Sequence, residues 1–146
     1  MSALVVDASV GIKWFLPEPH AAEARVWRTG PDELHAPNCF FDIEIANILW
    51  KKVQRDELLK EEALLAARLL QGVEIELRPM RSLFETETRI SIEINHPAYD
   101  CVYLALAGVS KCQFVTADQR FLHKLHQGRH RTLRGRAISL IEAVQL

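Results

Sequence analysis

The stretch Leu4-Val5-Val6-Asp7-Ala8-Ser9 constrains this chain most, because an unbroken apolar run ends abruptly at a carboxylate. Continuous rather than alternating apolar residues suit a parallel strand covered on both faces. In open α/β sheets the ligand crevice lies beyond the carboxyl ends of such strands, which is where Asp7 would stand. The same residue could cap a short helix over residues 10–15, since Asp is a favoured N-cap residue. Taken alone, Asp7 fits either role.

With 146 residues the chain is of one-domain size, so a single domain over 1–146 is expected. No apolar run approaches the roughly 20 residues that span a bilayer. The N-terminus lacks the features of a secretory signal, so Met1 is expected to begin the mature fold in the cytoplasm, without a membrane. Cys39, Cys101 and Cys112 form no Cys-x-x-Cys pair and no even framework, which points to reduced core thiols. The net charge of -1 hides an uneven distribution: Arg120, Lys124, Arg129, Arg131, Arg134 and Arg136 occur with no acid among them. Such a zone, with Lys51, could neutralise phosphates or simply be a solvated face.

In chain order, residues 9–16 read as a short helix interrupted by Pro17 and Pro19, with Trp14, Phe15 and Leu16 as an apolar tip more suited to core than to an interface. Residues 21–28 resume helically until Gly30-Pro31. Leu34-His35-Ala36 is a weak second strand closed by Pro37. Asn38 is placed to cap a long helix reaching Arg55. At about 100° per residue, Phe40, Glu44, Asn47, Ile48 and Lys51 share a stripe, so Glu44 faces inward and needs a cation, a proton or hydrogen bonds. A pairing with Lys51 is the plainer alternative.

A helix over 61–71 ends at Gly72, a strand follows over 73–77, and another helix covers 82–94. Pro97 and Gly108 bound a helix whose one charge is Asp100, and an otherwise uncharged helix belongs against the sheet. Asp100 in its first turn suits the helix dipole even without a function. Residues 113–116 form a short buried strand, and Asp118 stands just past its end as Asp7 does past the first, again as cap or ligand. Residues 137–140 read as a final edge strand, though Ser139 and Glu142 could frame a capping box.

Each acid has an innocent explanation, yet all four explanations fail to say why the acids should meet. In a three-layer α/β/α sandwich with a central, mainly parallel sheet, two strand ends and two helix starts can converge on one crevice. Clustered carboxylates repel, and a hard divalent cation relieves them; all-oxygen ligation points to Mg²⁺ or Mn²⁺. Such a site beside basic residues suits phosphodiester hydrolysis.

Val5-Val6-Asp7-Ala8-Ser9, Glu44 to Lys51, Tyr99 to Ala107 and Val115 to Phe121, in this order and spacing, resemble PIN-domain ribonucleases, and most closely the VapC toxins of type II toxin–antitoxin pairs. The resemblance implies a PIN-like sheet and endonucleolytic RNA cleavage with Mg²⁺ or Mn²⁺ held by Asp7, Glu44, Asp100 and Asp118. Ser9, Asn47 and Thr116 would orient acids or waters. It also implies homodimers and a cognate VapB-like antitoxin. No acid stands at Gln119 or Arg120, where some family members carry an additional carboxylate.

Three rivals are weaker on the residues. A catalytically inactive PIN-like module that binds RNA or protein gains little from clustered negative charge. A phosphoacceptor domain needs a close acid pair that Asp7-Ala8-Ser9 lacks. A zinc site at His123, His126 and His130 is interrupted by Gly128.

Overall fold

The computed structural model describes residues 2–30 and 32–145, with side chains through Ala143. Met1, and Pro31 as a helix stop, lie outside the described residues. The elements are β1 (Ala3–Val6), α1 (Ala8–Gly11) running into a 3₁₀ turn (Ile12–Trp14), α2 (Ala21–Arg28), β2 (Glu33–Pro37), α3 (Phe40–Gln54) and α4 (Lys60–Gln71). They continue with β3 (Glu76–Arg78), α5 (Phe84–Ile94), α6 (Ala98–Ser110), β4 (Gln113–Thr116), α7 (Gln119–Gln127), α8 (Arg131–Arg134), β5 (Ala137–Ser139) and α9 (Leu140–Gln145).

The strands form one sheet in the order β3-β2-β1-β4-β5, and every neighbouring pair is parallel. Right-handed crossovers in that order carry α1 to α4 over one face and α5 to α8 over the other. Consecutive residues of a strand point to opposite faces, and Val5 and Val6 are both 0% exposed, so helices cover both sides as the apolar run requires. Phe114 of β4 stacks on Tyr103 of α6 at 5.4 Å between ring centroids. Its neighbour Val115, pointing the other way, is equally buried. This is the expected three-layer α/β/α arrangement. The chain steps from β1 outward to β2 and β3, then crosses back to β4 and β5. Its switch point is therefore the gap between β1 and β4.

Several local expectations need correction. Asn38 does not cap α3: its amide donates to the Arg78 carbonyl at 2.7 Å, extending the β2–β3 ladder beyond Pro37. Cys39 takes the N-cap position with φ 68° and no side-chain cap, and it is exposed rather than a core thiol. The buried stripe of α3 is Phe41, Ile45 and Leu49, one residue round from the predicted one. It packs on α1, where Gly11 permits the approach: a Cβ there would meet Phe41 Cζ at 2.8 Å. Phe40, Glu44 and Ile48 are consequently half-buried on the flank, while Asn47 and Lys51 are exposed.

Gly72 ends α4 in a right-handed conformation, and the strand after it is reduced to Glu76–Arg78. The helix carrying Asp100 passes through Gly108 to Ser110 and turns off at Lys111 in the left-handed region. Gly108 instead makes room for Arg136, whose guanidinium donates to the Ala107 carbonyl at 3.1 Å. The C-terminal segment is divided: β5 ends at Ser139, one residue short of the expected strand, and Ser139 Oγ then accepts from the Glu142 amide and caps α9, which begins at Leu140. Trp14 is core, donating through Nε1 to the Ala24 carbonyl at 3.0 Å.

Candidate active site at the switch point of the sheet

The register pairs Val6 with Val115, so the next residues, Asp7 and Thr116, leave β1 and β4 side by side. Thr116 Oγ1 donates to Asp7 Oδ2 at 2.5 Å, and Ser9 Oγ donates to Asp7 Oδ1 at 2.5 Å. The Val10 amide also donates to Oδ1 at 3.2 Å, so Asp7 does cap α1. Both roles anticipated for this residue coexist, because a side chain with two oxygens can serve the helix with one and the crevice with the other. Ser9 Oγ accepts from the Ala117 amide at 3.0 Å, and Thr116 Oγ1 from the Asp118 amide at 3.1 Å. The two hydroxyls thus lock the loops after β1 and β4 together. Asp118 caps α7, accepting from the Phe121 amide at 3.1 Å.

The two helical acids arrive from above the strand ends. Asp100 Oδ2 lies 2.6 Å from His96 Nε2, and the His96 ring packs at 5.1 Å on Phe121. Glu44 accepts from the Tyr103 hydroxyl at 2.5 Å, not from Lys51. Burial pushes Asp7 up to about 6 despite its hydrogen bonds, and the Asp100 charge adds to the rise. Burial likewise pushes Glu44 up to about 7, with Asp7 and Asp100 both repelling its charge. Asp100 is raised by burial and by Asp118, against the His96 hydrogen bond. Asp7, Glu44 and Asp100 therefore feel one another's charge, and Asp118 acts on Asp100.

A hard divalent cation fits this donor set in chemistry, since carboxylates and hydroxyls are its preferred ligands and a positive charge would offset the burial, and the lesser repulsion, that raise Asp7 and Glu44. The side chains as they stand are each turned to a protein partner. Among the described residues no three His, Cys, Asp or Glu side chains stand close enough to enclose an ion. The same finding leaves the three-histidine zinc arrangement without support; His123 pairs with Gln127 and His130 lies near Glu93.

Not every anticipated site residue is present. Asn47 is exposed and makes no hydrogen bond to the acids among the described residues. His96 and Tyr103 were missed, although their spacings, four before and three after Asp100, put both within reach of one helix start. The basic residues are split. Arg120 is exposed on the first turn of α7 at the crevice end, and Lys124 donates to the Asn95 carbonyl, bracing the loop that carries His96. Lys51 lies two turns beyond Glu44 on an exposed face. Arg131 and Arg134 sit on α8, which precedes β5, and Arg136 sits at the amino end of β5, so these three flank the end of the sheet away from Asp7; Arg129 stands on the exposed loop before them.

A family profile described as PIN domain matches residues 4–125. The chain belongs to the PIN-domain family. It is similar to the VapC ribonuclease Mb0985 of Mycobacterium bovis and to ribonuclease VapC9 of Mycobacterium tuberculosis, 35% identical to each over 118 residues, which are 80% of this chain and 87% of theirs. These relatives place it with the VapC-type PIN proteins. Solved PIN-like folds agree in shape. The crystal structure of PAE2754 from Pyrobaculum aerophilum superposes with a TM-score of 0.69 at 19% identity, over 99% of this chain and 88% of that one. The sarcin-ricin loop cleaving toxin VapC20 of Mycobacterium tuberculosis gives 0.63 at 16% identity, over 82% and 92%. The PIN match includes Asp7, Glu44, Asp100 and Asp118 and excludes Arg129, Arg131, Arg134 and Arg136. No described helix is long and apolar enough to cross a membrane.

Proposed function

We propose that this chain is a Mg²⁺- or Mn²⁺-dependent endoribonuclease and the toxin of a toxin–antitoxin pair, working in the cytoplasm as a homodimer and restrained by a VapB-like antitoxin. What supports the reading is the junction of β1 and β4, where burial first and neighbouring acids second raise Asp7, Glu44 and Asp100, with Asp118 beside Asp100. When bound, the cation supplies Lewis acidity toward the phosphodiester and acidifies water. Asp7, fixed by Ser9, Thr116 and the Val10 amide, is the immobile ligand. Asp100 and Glu44 are held by single side-chain bonds from His96 and Tyr103 and can turn toward a cation. Asp118 acts directly or through water while its other oxygen keeps α7 capped. Arg120, exposed beside this rim, is the basic residue best placed to take the RNA backbone.

Purified protein should cut tRNA or rRNA with Mg²⁺ or Mn²⁺ and stop on chelation. Asp7→Asn and Asp100→Asn should each abolish cutting with the fold intact; cleavage persisting in both sinks the site. RNA binding without cleavage under either metal would assign the inactive-module reading. Expression without an antitoxin should arrest growth, and normal growth with soluble, active protein would remove the toxin role.

A further inference from the structure

The two helices that bring Glu44 and Asp100 to the crevice also bring aromatic rings. Phe40 stands one turn before Glu44 on α3, and Tyr99 immediately precedes Asp100 on α6. Their rings stack with centroids 6.1 Å apart and planes 16° from parallel. Phe40 is fixed from behind by Tyr103 at 5.9 Å, and Tyr103 is itself buried against Phe114. Tyr99 differs from the rest of this aromatic row: it is 66% exposed, although the core of α6 from Cys101 to Ala107 is buried. Tyr99 is thus stacked on Phe40 yet largely open to solvent, and Phe40 lies one turn from Glu44 on α3. A crevice lined by acids repels phosphates, so an RNA strand entering it needs contacts that do not depend on charge. Stacking of a base on an aromatic ring is such a contact, and single-stranded RNA is commonly held that way.

We propose that the Phe40–Tyr99 pair is a stacking platform on which one unpaired base of the substrate rests, positioning the adjoining phosphodiester over the acids. The inference rests on RNA being the substrate and names the two side chains that would meet one of its bases. Tyr99 is a positioning residue here, acting through its ring and not its hydroxyl.

The test is fluorescence anisotropy in chelator, where no cleavage can occur. It uses three labelled probes: a mixed-sequence single-stranded 12-mer RNA, a strand of the same length with abasic positions, and a duplex. Tyr99→Ala should weaken single-strand binding roughly tenfold, as loss of one base–ring stack does, and leave the abasic and duplex probes unchanged. Tyr99→Phe and Tyr99→Trp should retain wild-type affinity, and Phe40→Leu should lose part of it. Because Tyr99 is exposed, thermal melting should be unaltered in its variants. With metal restored, Tyr99→Ala should raise KM and lower kcat, because the phosphodiester is no longer held over the acids. Equal single-strand affinity in wild type and Tyr99→Ala, an equal loss on the abasic strand, or no binding of any probe overturns the platform. So does a change in self-association without a change in RNA affinity, which would make Tyr99 a protein contact. Tyr99-dependent binding with no cleavage under either metal would support the platform and defeat the nuclease reading, so the two fail separately.

Discussion

Replacing Asp7 by Asn should destroy activity and make the metal-free protein more stable at alkaline pH. Asp7 titrates near 6 in the fold against 3.8 when exposed, chiefly because burial disfavours its charge. The folded protein thus holds the proton more tightly than the unfolded chain. The penalty for ionising Asp7 is absent below about pH 3.8 and complete above about pH 6, growing as pH rises through that window. At about 1.36 kcal/mol per pKa unit, it reaches about 3 kcal/mol at pH 8, about 1.6 at pH 5 and about 0.6 at pH 4. Asn removes the charge, but it presents one acceptor oxygen where Asp7 uses two, against Ser9 and Val10 on one side and Thr116 on the other. One lost hydrogen bond costs about 1 kcal/mol.

The net expectation is that Asp7→Asn is about 2 kcal/mol more stable than wild type at pH 8 in chelator. For a chain of this size that is about 4–8 °C in Tm. The advantage should vanish between about pH 4 and 5 and then reverse. Urea denaturation of both proteins at pH 8, 6 and 4 in chelator reads the difference, and the relief of Glu44 from the Asp7 charge acts in the same direction. A variant no more stable at pH 8, or a difference that does not change with pH, would refute the reasoning that this carboxylate is held against its own charge.

Tyr103→Phe removes the hydroxyl that donates to Glu44, a bond that lowers a pKa already near 7. The carboxylate should then titrate higher, so the rising limb of the pH–rate profile moves to higher pH and activity lost at pH 7 returns on raising the pH. An unshifted profile would detach Tyr103 from the reaction. Gly11→Ala would place a Cβ 2.8 Å from Phe41 Cζ and should cost about 1–3 kcal/mol in urea denaturation by pushing α3 off α1. Arg136→Ala should leave RNA affinity unchanged and lower stability by about 1 kcal/mol, because its guanidinium is committed to the Ala107 carbonyl. Arg120→Ala should instead weaken RNA binding and reduce its salt slope by about one.

The centre of the sheet was legible because β1 and β4 are short apolar runs each followed by an acid, a pattern set by which residues can lie in a layer covered on both faces; the exposed edge strand β3, Glu-Leu-Arg, carries no such signal. The acids were legible for a related reason: Asp7 and Asp118 each follow such a run directly, and Asp100 is the one charge in a buried helix. Glu44 was placed by periodicity with the phase off by one residue. The phase was decided by Gly11 and Phe41, a tertiary fit between α1 and α3 that no pattern within α3 contains. Asn47 was lost through the same displacement. The cap at Asn38 failed because its amide was claimed by Arg78, forty residues on, where strand pairing outweighs the local capping preference. The basic zone was contiguous in the chain but divided in space. A helix followed by a parallel strand necessarily carries its residues from the crevice end of the sheet to the opposite one.

How the four acids are held gives them unequal parts. Asp7 is gripped from both sides by groups that also tie the β1 and β4 loops together, so its position is set by the sheet itself. Asp118 cannot leave its orientation without uncapping α7. Asp100 and Glu44 hang on one side-chain partner each, and those partners, His96 and Tyr103, pack on Phe121 and Phe114, the aromatic floor beneath α6 and α7. The crevice thus joins two fixed carboxylates to two that can rotate, and the rotation that would close it on a cation exchanges a hydrogen bond for a charge-neutralising ligand. Under the proposed reading, substitutions of His96 or Tyr103 should alter metal affinity while sparing the fold. Substitutions of Ser9 or Thr116 should disturb both, because they act on the strand junction from which the site is built.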